Sequence, residues 1–185
     1  KQSHRLSRLV DDLEVVSRAQ ERQLLFNPEP VSVADLVEAA VSAHLERFRT
    51  AGVSLSSTVA PGTPAVTVDP DRIEEVLGNL LENALRHTPS GGNVAVAAHP
   101  GKGGRKPDAV IEVQDSGRGF PEGDAERIFA RFEKATDSPG SGLGLTIARA
   151  IVEAHQGTLT AHSHGPGQGA RFIITLPASS QRSPG

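Results

Sequence analysis

Three short stretches combine residue types and spacings that suit chemistry. Asn79 and Asn83 lie one helical turn apart, and Arg86 and His87 follow at the same three-to-four spacing, so in a helix they share one face. Asp115 opens the run Asp115-Ser116-Gly117-Arg118-Gly119-Phe120, and Gly140-Ser141-Gly142-Leu143-Gly144-Leu145 stands directly before an apolar-periodic segment. Two amide oxygens in line suit Mg²⁺, which takes only one or two protein oxygens and completes its octahedron with water and phosphate. A carboxylate in a glycine loop accepts a charge-assisted hydrogen bond from an exocyclic amine such as that of adenine, where guanine would present a carbonyl. Glycines opening into a helix N-terminus offer free N–H groups and the positive end of the helix dipole to an anion. Singly, the first is equally a solvated helix face and the second a surface turn. The third matches neither the Gly-x-x-x-x-Gly-Lys-Ser/Thr loop nor a strand-led dinucleotide fingerprint. Together they describe one nucleotide site, and its chemistry points to ATP with Mg²⁺.

The rest of the composition narrows the alternatives. At 185 residues and 37% hydrophobic content, the chain supports one buried core domain with an appendage. Its 22 acidic and 19 basic residues give a net charge of −3 without a dense Lys/Arg block, so neither a nucleic-acid footprint nor a polybasic membrane patch is indicated. The absence of cysteine excludes disulfides, thiolate metal sites and cysteine nucleophiles. His162 and His164 alternate on an expected strand and read either as a metal pair or as two solvated strand residues. No run approaches the ~20 apolar residues of a membrane span. Because Lys1 falls inside a helical pattern, we expect a cytoplasmic, soluble fragment without membrane contact of its own, from a parent whose sensor or membrane segments lie upstream.

The elements that must position these residues follow from periodicity. Leu6, Leu9, Val10, Leu13 and Val16 give an amphipathic helix with a narrow apolar seam to about residue 25, and Asn27-Pro28-Glu29-Pro30 stops it at a domain boundary. Residues 32–49 are helical through Leu36, Val37, Ala40, Val41 and Leu45. Val53, Leu55, Ser57 and Val59 alternate as a strand, with 60–64 as a hairpin turn and 65–68 as the return strand. Asp69-Pro70 caps a central helix to about residue 87, whose stripe of Ile73, Val76, Leu77, Leu80, Leu81 and Ala84 faces the core. Strands are expected at 94–98 and 109–113 around a mobile loop at 100–107, and a short helix near 125–129. A flexible stretch at 133–140, a helix at 143–155, and strands at 158–163 and 170–176 complete the pattern, before a disordered tail from 179.

In this order and at these separations, the motifs closely resemble the ATP-binding catalytic domain of bacterial sensor histidine kinases, in the superfamily that also holds gyrase, Hsp90 and MutL. Residues 77–88 resemble the N box, 115–120 the first glycine box, Ile128-Phe129-Ala130-Arg131-Phe132 the F box, and 140–145 the second glycine box. The resemblance covers about residues 30–177 and implies an α/β fold: a two-layer α/β sandwich of the Bergerat type, with helices on one face of a mixed sheet. By resemblance Asn83 is the Mg²⁺ ligand, Asn79 supports metal or phosphate, Arg86 contacts phosphate, and the His87 ring packs near adenine. Asp115 matches the adenine reader; Gly117, Gly119, Phe120, Gly140, Ser141, Gly142, Leu143, Gly144 and Leu145 belong to the nucleotide loops. Phe129, Arg131, Phe132 and the stretch 133–141 with Lys134 resemble the base and body of a lid, shorter than many in the family.

In the superfamily's hydrolytic members a glutamate general base sits one turn before the Mg²⁺-binding asparagine. Here that position is Asn79, which cannot take a proton, and Glu82 lies about 100° around the helix from Asn83. Phosphoryl transfer is therefore favoured over hydrolysis. Residues 1–27 resemble the second helix of the family's dimerisation and phosphoacceptor hairpin. His4 lacks the acidic and proline neighbours of an acceptor, so the acceptor histidine is expected on a missing upstream helix. The implied organisation is 1–27 partial dimerisation helix, 28–178 catalytic domain and 179–185 tail. The implied partners are its own dimerisation and phosphoacceptor domain, in a homodimeric parent, and a response regulator. An anti-sigma-type serine kinase and a non-enzymatic ATP-dependent interaction module remain as alternatives.

Overall fold

The computed structural model describes residues 26–102, 107–130 and 143–179. After a short strand β1 (Glu29–Val31), helix α1 (Val33–Ala51) starts where the Ser32 hydroxyl accepts the Ala34 N–H at 3.2 Å. It stops at Gly52, whose left-handed φ of 70° lets its N–H reach the Arg49 and Phe48 carbonyls. Strands β2 (Ser54–Val59) and β3 (Val66–Val68) follow, then α2 (Pro70–His87), capped by the Asp69 carboxylate on Arg72 N–H at 3.3 Å with Pro70 in the first turn. Strands β4 (Asn93–Pro100) and β5 (Ala109–Asp115) lead to two 3₁₀ turns, Glu122–Asp124 and Arg127–Phe129. Helix α3 (Gly144–Ala154) and strands β6 (Thr158–His162) and β7 (Ala170–Leu176) complete the domain.

The result is the expected two-layer α/β sandwich. A mixed five-stranded sheet runs β2-β4-β5-β7-β6, with β2 parallel to β4 and the other neighbours antiparallel. Alternation sends Val94, Val96 and Ala98 of β4, Ala109, Ile111 and Val113 of β5, and Phe172, Ile174 and Leu176 of β7 into the helix layer, where all are buried. The α2 stripe of Ile73, Val76, Leu77, Leu80, Leu81 and Ala84 meets them and is buried throughout, with α2 packed between α1 and α3. Asp115 occupies the next inward position after Val113, so the pleat aims a carboxylate into the layer that otherwise takes apolar groups.

Several expectations need correction. Strand β3 does not return along β2; it pairs antiparallel with β1, Glu29 opposite Val68, while β2 joins β4 in parallel. The chain leaves the sheet at Ala60, and the crossover through α2 brings it back beside β2, as a parallel pair requires. Leu45 is 52% exposed instead of core, because Phe48, fully buried, fills that end of α1. The stretch near 125–129 forms a 3₁₀ turn, and β6 ends at His162, which leaves His164 in the turn beyond; both histidines are exposed. Ser179, expected to open the disordered tail, is instead tied to the domain, its N–H donating to the Ala65 carbonyl at 2.7 Å. The amphipathic helix to residue 25, loop residues 103–106, the stretch 133–140 and residues 180–185 lie outside the described residues.

Candidate nucleotide-binding site

Helix α2 supplies one wall of the site, and its polar face is closed at two points. At Asn79 the start of α3 comes close: a Cβ on Gly144 would stand 3.3 Å from the Asn79 amide oxygen, so any larger residue there would press on the Asn79 side chain and require it to shift by a few tenths of an ångström. At His87 the chain after β5 arrives, because Arg118 N–H donates to the His87 carbonyl at 3.1 Å and a side chain on Gly117 would run into that same oxygen. Asn83 lies midway, one turn from each closure. At 1.5 Å per residue, Asn79 and His87 are about 12 Å apart along the helix, a span on the scale of a nucleotide.

Asp115, 5% exposed, stands at the His87 end. Its Oδ1 accepts Gly117 N–H at 2.8 Å and Ala170 N–H at 3.3 Å. Burial pushes the carboxyl above its ordinary value, and the two N–H donations pull against that rise. With Oδ1 committed to the backbone, the second oxygen is the group available to an exocyclic amine. His87 is held neutral: burial, then Arg118 and Arg86, lower its pKa to about 4. The Arg118 guanidinium stands 3.5 Å from His87 Nε2, and both Arg86 and Arg118 are exposed, which makes this mouth of the site cationic.

At the other end, Leu143 is fully buried and Leu145 packs against the core, which anchors the first turn of α3 beside Asn79. The Thr146 hydroxyl donates to the Phe129 carbonyl at 2.8 Å, the Phe129 ring meets Phe172 edge-on at 6.3 Å, and the Arg149 guanidinium lies 5.0 Å from the Phe129 centroid. The base of the expected lid is thus fastened to α3. Arg131, Phe132, Lys134, Gly140, Ser141 and Gly142 lie outside the described residues.

Glu82 does not face this site. Its carboxylate bonds Arg47 of α1 at 2.6 Å, an exposed pair on the flank of α2 turned toward α1. No group of three or more His, Asp or Glu side chains gathers as a metal cluster among the described residues. The donor set for a cation is therefore the Asn79 and Asn83 amides, which fits a hard ion that phosphates and water also coordinate. The missing side chains of Gly117 and Gly144 let both loops pack against α2, at the His87 carbonyl and beside the Asn79 amide.

One functional part was not read from the sequence. The turn from Ser163 to Gly169 lies under the Asp115 loop and is bonded along it: Gly169 N–H to Gly117 O at 3.0 Å, Gly167 N–H to Arg118 O at 2.6 Å. The Ser163 hydroxyl is the hub. It accepts Phe120 N–H at 3.1 Å and donates to the Gly169 carbonyl at 2.7 Å. Gly119, with φ of 59°, has no room for a side chain against this turn. The alternating Gly165, Gly167 and Gly169 were the available signal, since all three adopt positive φ.

Comparison with known proteins gives a consistent picture. The model of the family described as Histidine kinase-, DNA gyrase B-, and HSP90-like ATPase matches residues 68–180. The signal transduction histidine-protein kinase BaeS of Escherichia coli (strain K12) is 37% identical over 177 residues, covering 93% of this chain and 37% of that protein. The adaptive-response sensory kinase SasA of Nostoc sp. is 31% identical over 179 residues, covering 95% of this chain and 44% of that protein. The chain thus spans roughly two fifths of the length of these relatives. Among solved structures, full-length ShkA in complex with AMPPNP superposes with a TM-score of 0.84 at 26% identity, over 97% of this chain and 37% of that one. The mycobacterial sensor histidine kinase MprB superposes at 0.70 and 28% identity, over 84% of this chain and all of the other.

Proposed function

The chain belongs to the histidine kinase-, DNA gyrase B- and HSP90-like ATPase family, as the ATP-binding catalytic domain of a histidine kinase, and from that premise we propose that it transfers the γ-phosphoryl group of Mg-ATP to a histidine on a helix upstream of Lys1. A response-regulator aspartate would receive the group next. The observation that carries this reading is the pair of closures on α2: a buried Asp115 and its glycine loop at His87, and the glycine start of α3 at Asn79, with Asn83 between them. Adenine belongs at the first end and the phosphates at the second.

In this assignment Asp115 accepts the adenine amine, and the loop held by Ser163 keeps it aimed. The N-terminal end of α3 offers backbone N–H groups to the phosphates, and the family resemblance assigns Gly140, Ser141 and Gly142 to the same phosphate-binding role. Arg86, Arg131 and Lys134 supply positive charge, and Phe120 and Leu145 wall the nucleotide, while Leu143, expected in the nucleotide loop, is fully buried and supports the start of α3 from the core. Asn83, backed by Asn79, would hold Mg²⁺, which would neutralise phosphate charge when bound. Catalysis then consists of positioning and charge stabilisation for a nucleophile brought from outside. A water-activating base is absent from Asn79, and Glu82 is occupied by Arg47, so the residues favour transfer over hydrolysis. The reading also places these residues in the cytoplasm, in a dimeric parent whose residues 1–27 continue the acceptor hairpin.

The test is labelling with γ-labelled ATP. The chain alone should bind Mg-ATP and remain unlabelled, and addition of a dimeric acceptor hairpin from the natural polypeptide should produce an acid-labile phosphoramidate on the hairpin. Labelling of His4 in the isolated chain, or steady release of inorganic phosphate without any acceptor labelling, would overturn the proposal.

A further inference from the structure

The far ends of both site helices meet in one polar and aromatic cluster with the chain that enters the domain. Asn27 N–H donates to Asp69 Oδ2 at 3.0 Å, while Asp69 Oδ1 caps α2. Asp69 N–H in turn donates to His155 Nε2 at 3.1 Å, and His155 Nδ1 lies 2.8 Å from the Ile151 carbonyl at the end of α3. Since the Asp69 amide can only donate, Nε2 accepts and Nδ1 carries the proton, so both nitrogens of a neutral ring are used. The Phe26 ring lies on His155 with centroids 4.5 Å apart, tilted by 54°. Immediately beyond, β1 pairs with β3, whose other side is held by Val66 opposite Ala178 and by Ser179 N–H on the Ala65 carbonyl at 2.7 Å. None of these residues touches the nucleotide site. Residue 83 is about 21 Å along α2 from Asp69, and the start of α3 is about 16 Å from its end.

We infer that Phe26, Asn27, Asp69 and His155 form a latch that fixes the direction in which the chain leaves the ATP-binding domain, making His155 and Phe26 positioning residues for phosphoryl transfer between domains. Transfer to a histidine elsewhere on the polypeptide requires the γ-phosphate to be presented in a defined orientation, and a loose joint spreads that orientation over many unproductive ones. Pro28 and Pro30 cannot supply N–H donors here, so without the latch nothing before β1 ties residues 26–27 to the domain among the described contacts. The inference rests on the kinase reading above and adds the element that orients the site.

The experiment compares wild type with Phe26→Ala, Phe26→Tyr and His155→Phe, both in the natural polypeptide that contains this chain and in the 185-residue chain. Phe26→Ala removes the ring; His155→Phe keeps a ring and removes both nitrogen contacts; Phe26→Tyr preserves the stacking. The latch predicts Mg-ATP affinity within twofold of wild type for all three in calorimetry. It also predicts a loss of about tenfold in transfer to the attached acceptor histidine for Phe26→Ala and His155→Phe, with near wild-type transfer for Phe26→Tyr. Transfer to a separately supplied acceptor hairpin should be unchanged, because a free acceptor does not depend on the joint. Amide exchange at Asn27 should rise in Phe26→Ala, which reports the latch even if a variant's activity is altered otherwise. Unchanged or increased transfer to the attached acceptor would overturn the inference, as would an equal loss with the free acceptor. A wild-type polypeptide that binds Mg-ATP but transfers to neither acceptor would instead sink the kinase reading.

Discussion

Replacing Asp115 by asparagine isolates the adenine-reading step, because the structure divides the work of the carboxylate between its two oxygens. Oδ1 holds the loop through Gly117 N–H at 2.8 Å and Ala170 N–H at 3.3 Å, and an asparagine oxygen can keep both bonds. The amide nitrogen would then take the place of Oδ2 and face the adenine amine, donor against donor. The loss is one charge-assisted hydrogen bond, about 1.5–3 kcal/mol, or roughly 10- to 150-fold in ATP affinity. Guanine presents a carbonyl at that position, which the new amide can donate to, so discrimination against GTP should shrink by more than ATP affinity alone requires. The apo protein should melt no lower than wild type, because burial already disfavours the Asp115 anion and the variant removes that charge. The pH dependence has a fixed sign. With the folded carboxyl above its ordinary value, its ionised form is lost on acidification before an ordinary aspartate's would be, so wild-type ATP affinity falls in that range and this component is absent in the variant. Calorimetric titration with ATP and GTP at several pH values measures all of this. A folded Asp115→Asn variant with an unchanged ATP/GTP ratio would refute the assignment.

Three further outcomes are expected. Asn83→Ala should weaken Mg-ATP binding by about tenfold, ~1.4 kcal/mol, and metal-free ATP binding much less; equal losses with and without Mg²⁺ would make Asn83 purely structural. Ser163→Ala should cost about 1 kcal/mol of ATP affinity by freeing the loop at Phe120 while Ser163→Thr retains it, and equal affinities for both variants and wild type would remove Ser163 from the site. The neutral His87 ring, with its folded pKa near 4 and below the usual 6.5, contributes stability that is fully present above about pH 6.5 and is lost as pH falls toward 4. Denaturation at pH 7 and pH 5 should therefore show a smaller acid loss for His87→Gln than for wild type, and a His87 ring titrating near 6.5 by NMR would contradict the burial argument.

Features whose causes are local were legible in the sequence. The α2 helix is written in Asp69-Pro70 and in six apolar residues at helical spacing, because a cap and an amphipathic stripe need only residues a few positions apart. The same holds for Asp115 at a strand end and for the glycines that follow it, whereas the comparison of Asn79 with a general base rested on the family resemblance. Only the tertiary structure decided what each element meets. A strand pattern at 54–59 looks the same whether its neighbour is β3 or β4, and the choice of β4 comes from the crossover through α2 and the core it covers. Leu45 and Phe48 compete for one end of α1, and packing selects the ring. The diversion of Glu82 to Arg47, the Ser163 hub beneath the Asp115 loop and the Phe26–His155 contact join residues far apart in the chain. Such contacts arise when hydrogen-bonding groups and apolar surface from distant segments must be satisfied together in one small volume, a condition that no window of sequence contains.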